Sequence, residues 1–135
     1  MKISPIEHEE VYVRFSNALR KERVAIKKYD IKTHYLCIME GIQVIGIVGW
    51  QELGTNHIRL KTDYIKKDYR GKGYYSFLWT ARMKAIYKMY SPAVMSAYCT
   101  TMSLPKYKKE GFKVTRESNN GIAYTKLKME KNEKL

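Results

Sequence analysis

Cysteine, proline and acidic residues are all scarce in this chain, and each shortage excludes something. Two cysteines in 135 residues, Cys37 and Cys99, cannot form a disulfide framework and are not in CxxC spacing. Both read as free thiols packed in strands. Three prolines and eight glycines are too few for a collagen-like or low-complexity chain, and 44% hydrophobic content excludes a disordered one. No apolar run approaches the ~18 residues of a membrane span. The start MKISPIEHEE carries acids where a signal peptide needs an apolar stretch. The expectation is one cytoplasmic domain over residues 1–135, with no membrane attachment and a frayed tail from Lys128 to Leu135. His8, His34 and His57 share no ligand spacing, so no metal is expected.

Negative charge is the last shortage. Thirteen acidic residues stand against 26 Lys and Arg, a formal net charge of +13. That balance attracts polyanions such as nucleic acid or phosphorylated cofactors. Scattered lysines from an AT-rich coding sequence are the plain alternative. The excess is uneven, however. His57 to Lys113 holds 13 basic and 3 acidic residues, a net of +10, whereas Pro5 to Lys32 holds 7 and 5, a net of +2.

The hydrophobic pattern gives the element order. Ser4-Pro5 reads as a helix start, and Val11, Phe15, Ala18/Leu19 and Val24/Ala25 recur at helical spacing from Ile6 to about Lys28. His34–Met39 and Ile42–Trp50 are β-rich runs around a tight turn at Glu40-Gly41. His57–Ile65 alternates like a half-buried strand. A long helix is expected over Tyr74–Tyr90, with Leu78, Ala81, Ala85 and Met89 marking its buried face. Ala93–Cys99 reads as a short apolar strand and Ser103–Glu110 as a short helix that Gly111 caps. Phe112–Thr115 and Ile122–Leu127 form a closing hairpin. Hairpins at both ends with one helical crossover between them imply an α/β fold, a mixed sheet flanked by helices.

The chemistry concentrates in Asp63–Ser76, DYIKKDYRGKGYYS. Two glycines flanked by Arg and Lys join a strand to a long helix, a pattern that makes a phosphate site from backbone amides. A Walker A loop does not fit, and neither does GxGxxG, since Ser76 stands at the third glycine. The pattern R-x-x-G-x-G/A fits better, over Arg70, Gly71, Lys72, Gly73, Tyr74 and Tyr75. Downstream, Tyr107-Lys108-Lys109-Glu110-Gly111-Phe112 puts a tyrosine four residues before a Gly-Phe. Together the two motifs resemble the GCN5-related N-acetyltransferase (GNAT) family, over nearly the whole chain from Ile6 to Leu127. The family's first strand is short or missing in this reading.

The resemblance implies a mostly antiparallel sheet splayed between two parallel strands, one ending near Ile65 and the other at Ala93–Cys99. Acetyl-CoA, as acyl donor, would lie in the splay against the backbone from Asp63 through Tyr64 to Ile65. Its pyrophosphate would sit on amides from Gly71 to Ser76, with Lys66, Lys67, Arg70 and Lys72 adding charge. Tyr107 is the implied general acid and Ser103 its fallback. Asp63 is the candidate base, with His57 or a water chain as alternatives. Tyr107 also reads as an ordinary interfacial tyrosine, and Asp63 as a salt-bridged carboxylate. Two positions depart from the family. Tyr75 puts a ring where the backbone approaches the phosphate, and Thr100 stands where an Asn is frequent. The implied activity is N-acetylation of an amine by a monomer or homodimer. The amine belongs to DNA or RNA, as in phage DNA-modification proteins of this fold, or to a protein or small molecule. A non-catalytic nucleic-acid-binding module on the same scaffold is the third reading. Lys106, Lys108, Lys109 and Lys113 are expected to form one footprint for an anionic macromolecule.

Overall fold

Branched and aromatic residues in alternation build the sheet, and the helices follow from what that sheet leaves uncovered. The computed structural model describes residues 1–54 and 56–129. Its elements are β1 (Lys2–Pro5), α1 (His8–Lys21), β2 (Thr33–Glu40), β3 (Gln43–Glu52), β4 (His57–Ile65), α2 (Tyr74–Met89), β5 (Val94–Cys99), α3 (Leu104–Lys109), β6 (Lys113–Glu117) and β7 (Ala123–Lys128). One seven-stranded sheet runs in the order β1-β2-β3-β4-β5-β7-β6. Every neighbouring pair is antiparallel except β4 and β5. The fold class is the one expected, a mixed and mostly antiparallel sheet between helical layers.

Several local expectations fail for identifiable reasons. Ser4 and Pro5 do not start a helix; they lie in β1, opposite Cys37 and Leu36. That short strand is the one the sequence barely signals, because four residues are too few for a visible period. The first helix ends at Lys21 rather than near Lys28. There Arg23 takes φ +63, and the N–H groups of Arg23 and Val24 return to the carbonyls of Arg20 and Leu19. This is a Schellman ending made without glycine, so the sequence carries no stop signal. At the other end, Lys128 pairs with Val94, and the Met129 N–H donates to the Ala93 carbonyl at 2.8 Å. The fraying expected from Lys128 therefore does not begin there; residues 130–135 lie outside the described residues.

Each face of the sheet has its own core. On one face Ile58, Leu60, Met95 and Ala97 pack with Trp79 and Ile86 of α2, and with Tyr107 and Phe112. On the other, Val11, Phe15 and Leu19 of α1 meet Tyr35, Cys37, Val44, Ile47 and Tyr64. Those three α1 residues lie four apart on one stripe, and each contributes roughly 1.5–3 kcal/mol by leaving water.

Two irregularities in β4 position the site. Its ladder with β5 holds only at His57↔Val94, Ile58↔Met95 and Arg59↔Ser96, and beyond it the strands part. Against β3, the register jumps from Gly49↔Lys61 to Ile47↔Tyr64, so Thr62 and Asp63 together face Val48. Thr62 holds φ +61, an unusual conformation for a β-branched residue. This bulge exchanges the faces. Ile58 and Leu60 point to α2; after the bulge Asp63 and Ile65 do, while Tyr64 turns to Phe15, with ring centroids 5.7 Å apart.

Phe15 thus anchors α1 to the far end of β4. Phe15→Ala is expected to cost about 3–5 kcal/mol of stability, read as a lower urea midpoint with an unchanged m-value.

Candidate active site

The loop after β4 turns through Lys67–Tyr69 and enters α2 over two glycines, Gly71 at φ +76 and Gly73 at φ +91. Neither glycine is needed for space, since a Cβ at Gly71 would meet nothing within 4 Å and one at Gly73 only Phe77 at 3.9 Å. They are needed for the left-handed backbone that aims the helix start. Gly73 is the N-cap, and no side chain caps the turn. The N–H groups of Tyr74, Tyr75 and Ser76 therefore lack intrahelical partners and carry the positive end of a 16-residue helix dipole. They border a cleft of about 320 Å3. Asp63, Tyr64, Ile65, Arg70, Gly71, Gly73, Tyr74, Tyr75 and Ser76 line one side of it, and Glu22, Val24, Thr100, Met102 and Ser103 the other. Lys66, Lys67 and Lys72 flank this cleft without lining it, and none of them is in an ion pair among the described residues.

Arg70 is used differently from the expected phosphate contact. Its Nε donates to the Ile65 carbonyl at 2.7 Å, and its Nη2 pairs with Glu22 at 2.6 Å. The guanidinium therefore ties the end of β4 to the end of α1 and fixes the mouth of the cleft. Glu22 had no functional signal in sequence, because the turn that brings it here is the unmarked Schellman ending.

Deeper in, the bulge delivers Asp63 to a buried cluster. Arg82 of α2, 0% exposed, grips its carboxylate with contacts of 2.6 and 3.0 Å, and the side chain of Asp63 is 6% exposed. The Tyr107 hydroxyl donates to Asp63 Oδ2 at 2.8 Å, and the Tyr75 hydroxyl donates to the same oxygen. Arg82 also donates to the Gly49 carbonyl at 3.1 Å and lies over the Trp79 ring at 4.8 Å. Burial first, and then the Asp63 charge, push both tyrosine hydroxyls well above their ordinary pKa of 10. Burial opposes the charge on Arg82, but Asp63 and Tyr107 overcome it and hold Arg82 cationic.

This corrects two readings. The ring of Tyr75 does not cover the uncapped start of α2; it turns inward, meeting Trp79 edge-on at 6.2 Å and Asp63 through its hydroxyl. The buried face of α2 is Leu78, Trp79, Arg82 and Ile86, not Leu78, Ala81, Ala85 and Met89; Met89 is 68% exposed. Arg82 sits four residues after Leu78 and four before Ile86, and its charge displaced the apparent stripe by one position. A lone arginine inside an apolar i, i+4 row was the signal for the missed partner of Asp63.

A second cleft, of about 630 Å3, opens on the far side of Asp63. Arg23, Lys27, Arg59, Lys61, Tyr98 and Tyr107 are among its walls. The two clefts share Val24, Asp63, Thr100 and Ser103, so they meet at that junction. The Ser103 hydroxyl there lies 3.5 Å from both the hydroxyl and the carbonyl oxygen of Thr100. His57 lines neither cleft; at the other end of β4, its Nε2 lies 2.7 Å from Ser96 Oγ. The four lysines read as one footprint are divided. Lys106 pairs with Glu110 at 3.3 Å on α3, which packs on the α2 side, whereas Lys113 stands beside Lys126 on the opposite face. Among the described residues, no group of three or more His, Cys, Asp or Glu is placed to hold a metal ion, and no helix is long and apolar enough to cross a membrane. Cys37 and Cys99 are both buried free thiols, and burial pushes Cys99 up to about 11.

Removing Arg82 leaves a buried carboxylate without its counter-charge. Arg82→Ala is expected to cost about 3–5 kcal/mol. Pairing Arg82→Leu with Asp63→Asn is expected to recover part of that loss, and a double-mutant cycle in urea measures the coupling.

Comparison with known proteins agrees with this geometry. A family model described as an acetyltransferase (GNAT) domain matches residues 4–131. No curated protein matches the sequence. Among solved structures, smu.2055 from Streptococcus mutans UA159 superposes with a TM-score of 0.75 at 17% identity, covering 96% of this chain and 100% of that one. Tetrahymena GCN5 gives 0.73 at 13% identity, covering 96% and 97%. The PaiA N-acetyltransferase from Thermoplasma acidophilum, solved in complex with coenzyme A, gives 0.63 at 18% identity, covering 90% and 74%. At these identities the structures speak for the fold, and the family model spans nearly the whole chain: the protein belongs to the GNAT acetyltransferase family.

Proposed function

We propose that this protein is an acetyl-CoA-dependent N-acetyltransferase that acts on an amine acceptor in the cytoplasm. One observation carries the reading. The uncapped start of α2, raised on Gly71 and Gly73, opens on a cleft that follows the parted end of β4 to Asp63. A second cleft reaches the same carboxylate from the other side. Two substrates entering from opposite sides meet there.

Acetyl-CoA supplies the acetyl group as a thioester, and this chain supplies the rest. Amides of Tyr74, Tyr75 and Ser76 bind the pyrophosphate, helped by Lys66, Lys67 and Lys72. The backbone of β4 from Asp63 to Ile65, on the edge that β5 leaves, aligns the pantetheine arm. Asp63 takes the proton that the attacking amine gives up. Tyr107 passes its own proton to the departing sulfur, and the proton held on Asp63 replaces it through their hydrogen bond. The order matters. Burial and then the Asp63 charge hold the Tyr107 proton; protonation of Asp63 removes the second of these, so Tyr107 becomes the better acid when the thiolate needs one. Ser103, at the junction, is the second hydroxyl within the site.

Charge selects the acceptor class. Four cations, Arg23, Lys27, Arg59 and Lys61, line the acceptor cleft, the last of them paired with Asp30 at 3.7 Å, while the charge of Asp63 is met by Arg82. Such walls repel a polycation and favour an amine that carries anionic groups, such as one on a nucleic acid. A protein or small-molecule amine is the alternative acceptor. A binding module without catalysis is separated from either by its failure to bind acetyl-CoA.

Acetyl-CoA is expected to raise the melting temperature of the native protein but not of Gly73→Glu, whose carboxylate occupies the phosphate cradle. Tyr107→Phe is expected to lower kcat about 100-fold or more with acetyl-CoA affinity unchanged. Because Tyr107 stays protonated beyond its ordinary value, the pH–rate profile should show no falling limb from this residue below about pH 10.

A further inference from the structure

The sheet face opposite α2 is sealed by α1 over β2, β3 and the end of β4. Further along the same face, β5, β7 and β6 present side chains that join none of the hydrophobic clusters among the described residues. The register settles which ones these are. Tyr98 stands beside Tyr124, Ser96 beside Lys126, Arg116 beside Tyr124, and Lys113 beside Lys126. Arg59 of β4 completes the row. Its guanidinium lies 4.8 Å from the Tyr98 ring centre, Arg116 lies 4.6 Å over Tyr124, and Lys126 lies 5.6 Å over Tyr124. The two tyrosine rings are 4.8 Å apart, and Tyr98 keeps 50% of its surface exposed.

Among the described residues, no carboxylate balances this row. Arg59, Arg116, Lys113 and Lys126 are in no ion pair among the described residues. Glu117 pairs across from Ala123, on the α2 face, and Asp63 is turned the same way by the bulge. The local field shows in its neighbours. Burial, then Arg59 and Lys126, hold His57 below its ordinary value. Tyr124 is lowered although burial opposes it, through bonds to Ser96 and Arg59 and the charges of Lys126 and Arg59.

Extent decides the kind of ligand. Strands lie about 4.8 Å apart, so β4, β5, β7 and β6 spread these cations over about 14 Å. That is wider than a single carboxylate or phosphate, and it fits a run of phosphates. The half-exposed tyrosine among the cations asks for a π-face as well, which an acidic protein segment or a sulfated sugar does not provide and a duplex keeps stacked inside. We infer that this face is a docking surface for single-stranded nucleic acid, with phosphates on Lys113, Arg116 and Lys126 and an unstacked base against Tyr98 and Arg59. Arg59 and Tyr98 also line the acceptor cleft, so a strand docked here runs towards Asp63. Only that last step rests on the proposed acetyltransferase reading; docking itself does not.

The test uses the full chain without acetyl-CoA and a fluorescein-labelled mixed-sequence 12-mer, followed by anisotropy across salt. Binding is expected to weaken steeply with salt, and Arg116→Gln with Lys126→Gln to reduce the log–log slope by about 1.4. Tyr98→Ala is expected to weaken binding roughly tenfold, and Lys108→Gln with Lys109→Gln on α3 to change nothing. Absence of binding at low salt would overturn the inference. So would an equal loss from the α3 pair, tighter binding of the matching duplex, or heparin competing equally well against the native protein and Tyr98→Ala. Should Tyr98→Ala fail to fold, the slope change in the Arg116/Lys126 variant decides alone.

Discussion

The ion pair between Asp63 and Arg82 is the constraint on which the site depends. A carboxylate and a guanidinium, both out of water, are costly unless each satisfies the other and most of the spare hydrogen-bonding capacity is taken up. Here the hydroxyls of Tyr75 and Tyr107 take up that of Asp63 and the Gly49 carbonyl takes one N–H of Arg82, while Arg82 Nε is left buried without a partner. The pair needs the bulge at Thr62, because a regular strand would turn Asp63 to the α1 face. It also needs a helix that places a charge in its buried stripe. One irregular residue in β4 and one unexpected residue in α2 are therefore parts of a single arrangement.

From that arrangement the rest of the site takes its shape. The parting of β4 from β5 opens the cleft, Arg70 holds its mouth by bridging Ile65 and Glu22, and α2 brings its uncapped amides to the outer end. Tyr75 belongs to the same arrangement. Its hydroxyl lies in the Asp63 cluster and its ring packs on Trp79, so a tyrosine stands here without covering the helix start. The second cleft has Arg23, Lys27, Arg59 and Lys61 in its walls, and from Arg59 the cations continue onto the open sheet face. Part of the positive excess between His57 and Lys113 thus has a place in the fold: Lys66, Lys67 and Lys72 in the loop before α2, Arg59 and Lys61 in the second cleft, and Lys113 on the open sheet face.

Much of this was legible in the chain. His57–Ile65 alternates cleanly, and the strand has the expected bounds. The Arg-Gly-Lys-Gly run and the Tyr107 to Phe112 spacing marked the loop and the third helix, because glycine at positive φ and a glycine-capped helix end leave residue signatures. What stayed hidden lacked such signatures. The Schellman turn at Arg23 uses no glycine, so Glu22 and Val24 were read as helix rather than as cleft wall. The bulge at Thr62 uses a β-branched residue in a left-handed conformation, which no propensity foretells. Arg82 was visible as a letter but not as a partner, since its meaning depends on a carboxylate 19 residues earlier in the sequence. The cationic sheet face required strand order, as its residues come from four strands that only the register brings together.

Acetyl transfer at Asp63 is tested by following labelled acetyl groups from acetyl-CoA into a cell extract. The extract is then divided into nucleic acid, protein and small-molecule fractions. The account predicts label that depends on the native protein, falls sharply with Asp63→Asn while acetyl-CoA still binds, and is released by nuclease. Label in the protein or small-molecule fraction alone would keep the chemistry and overturn the acceptor. Acetyl-CoA bound with no label in any fraction would contradict the account at its centre.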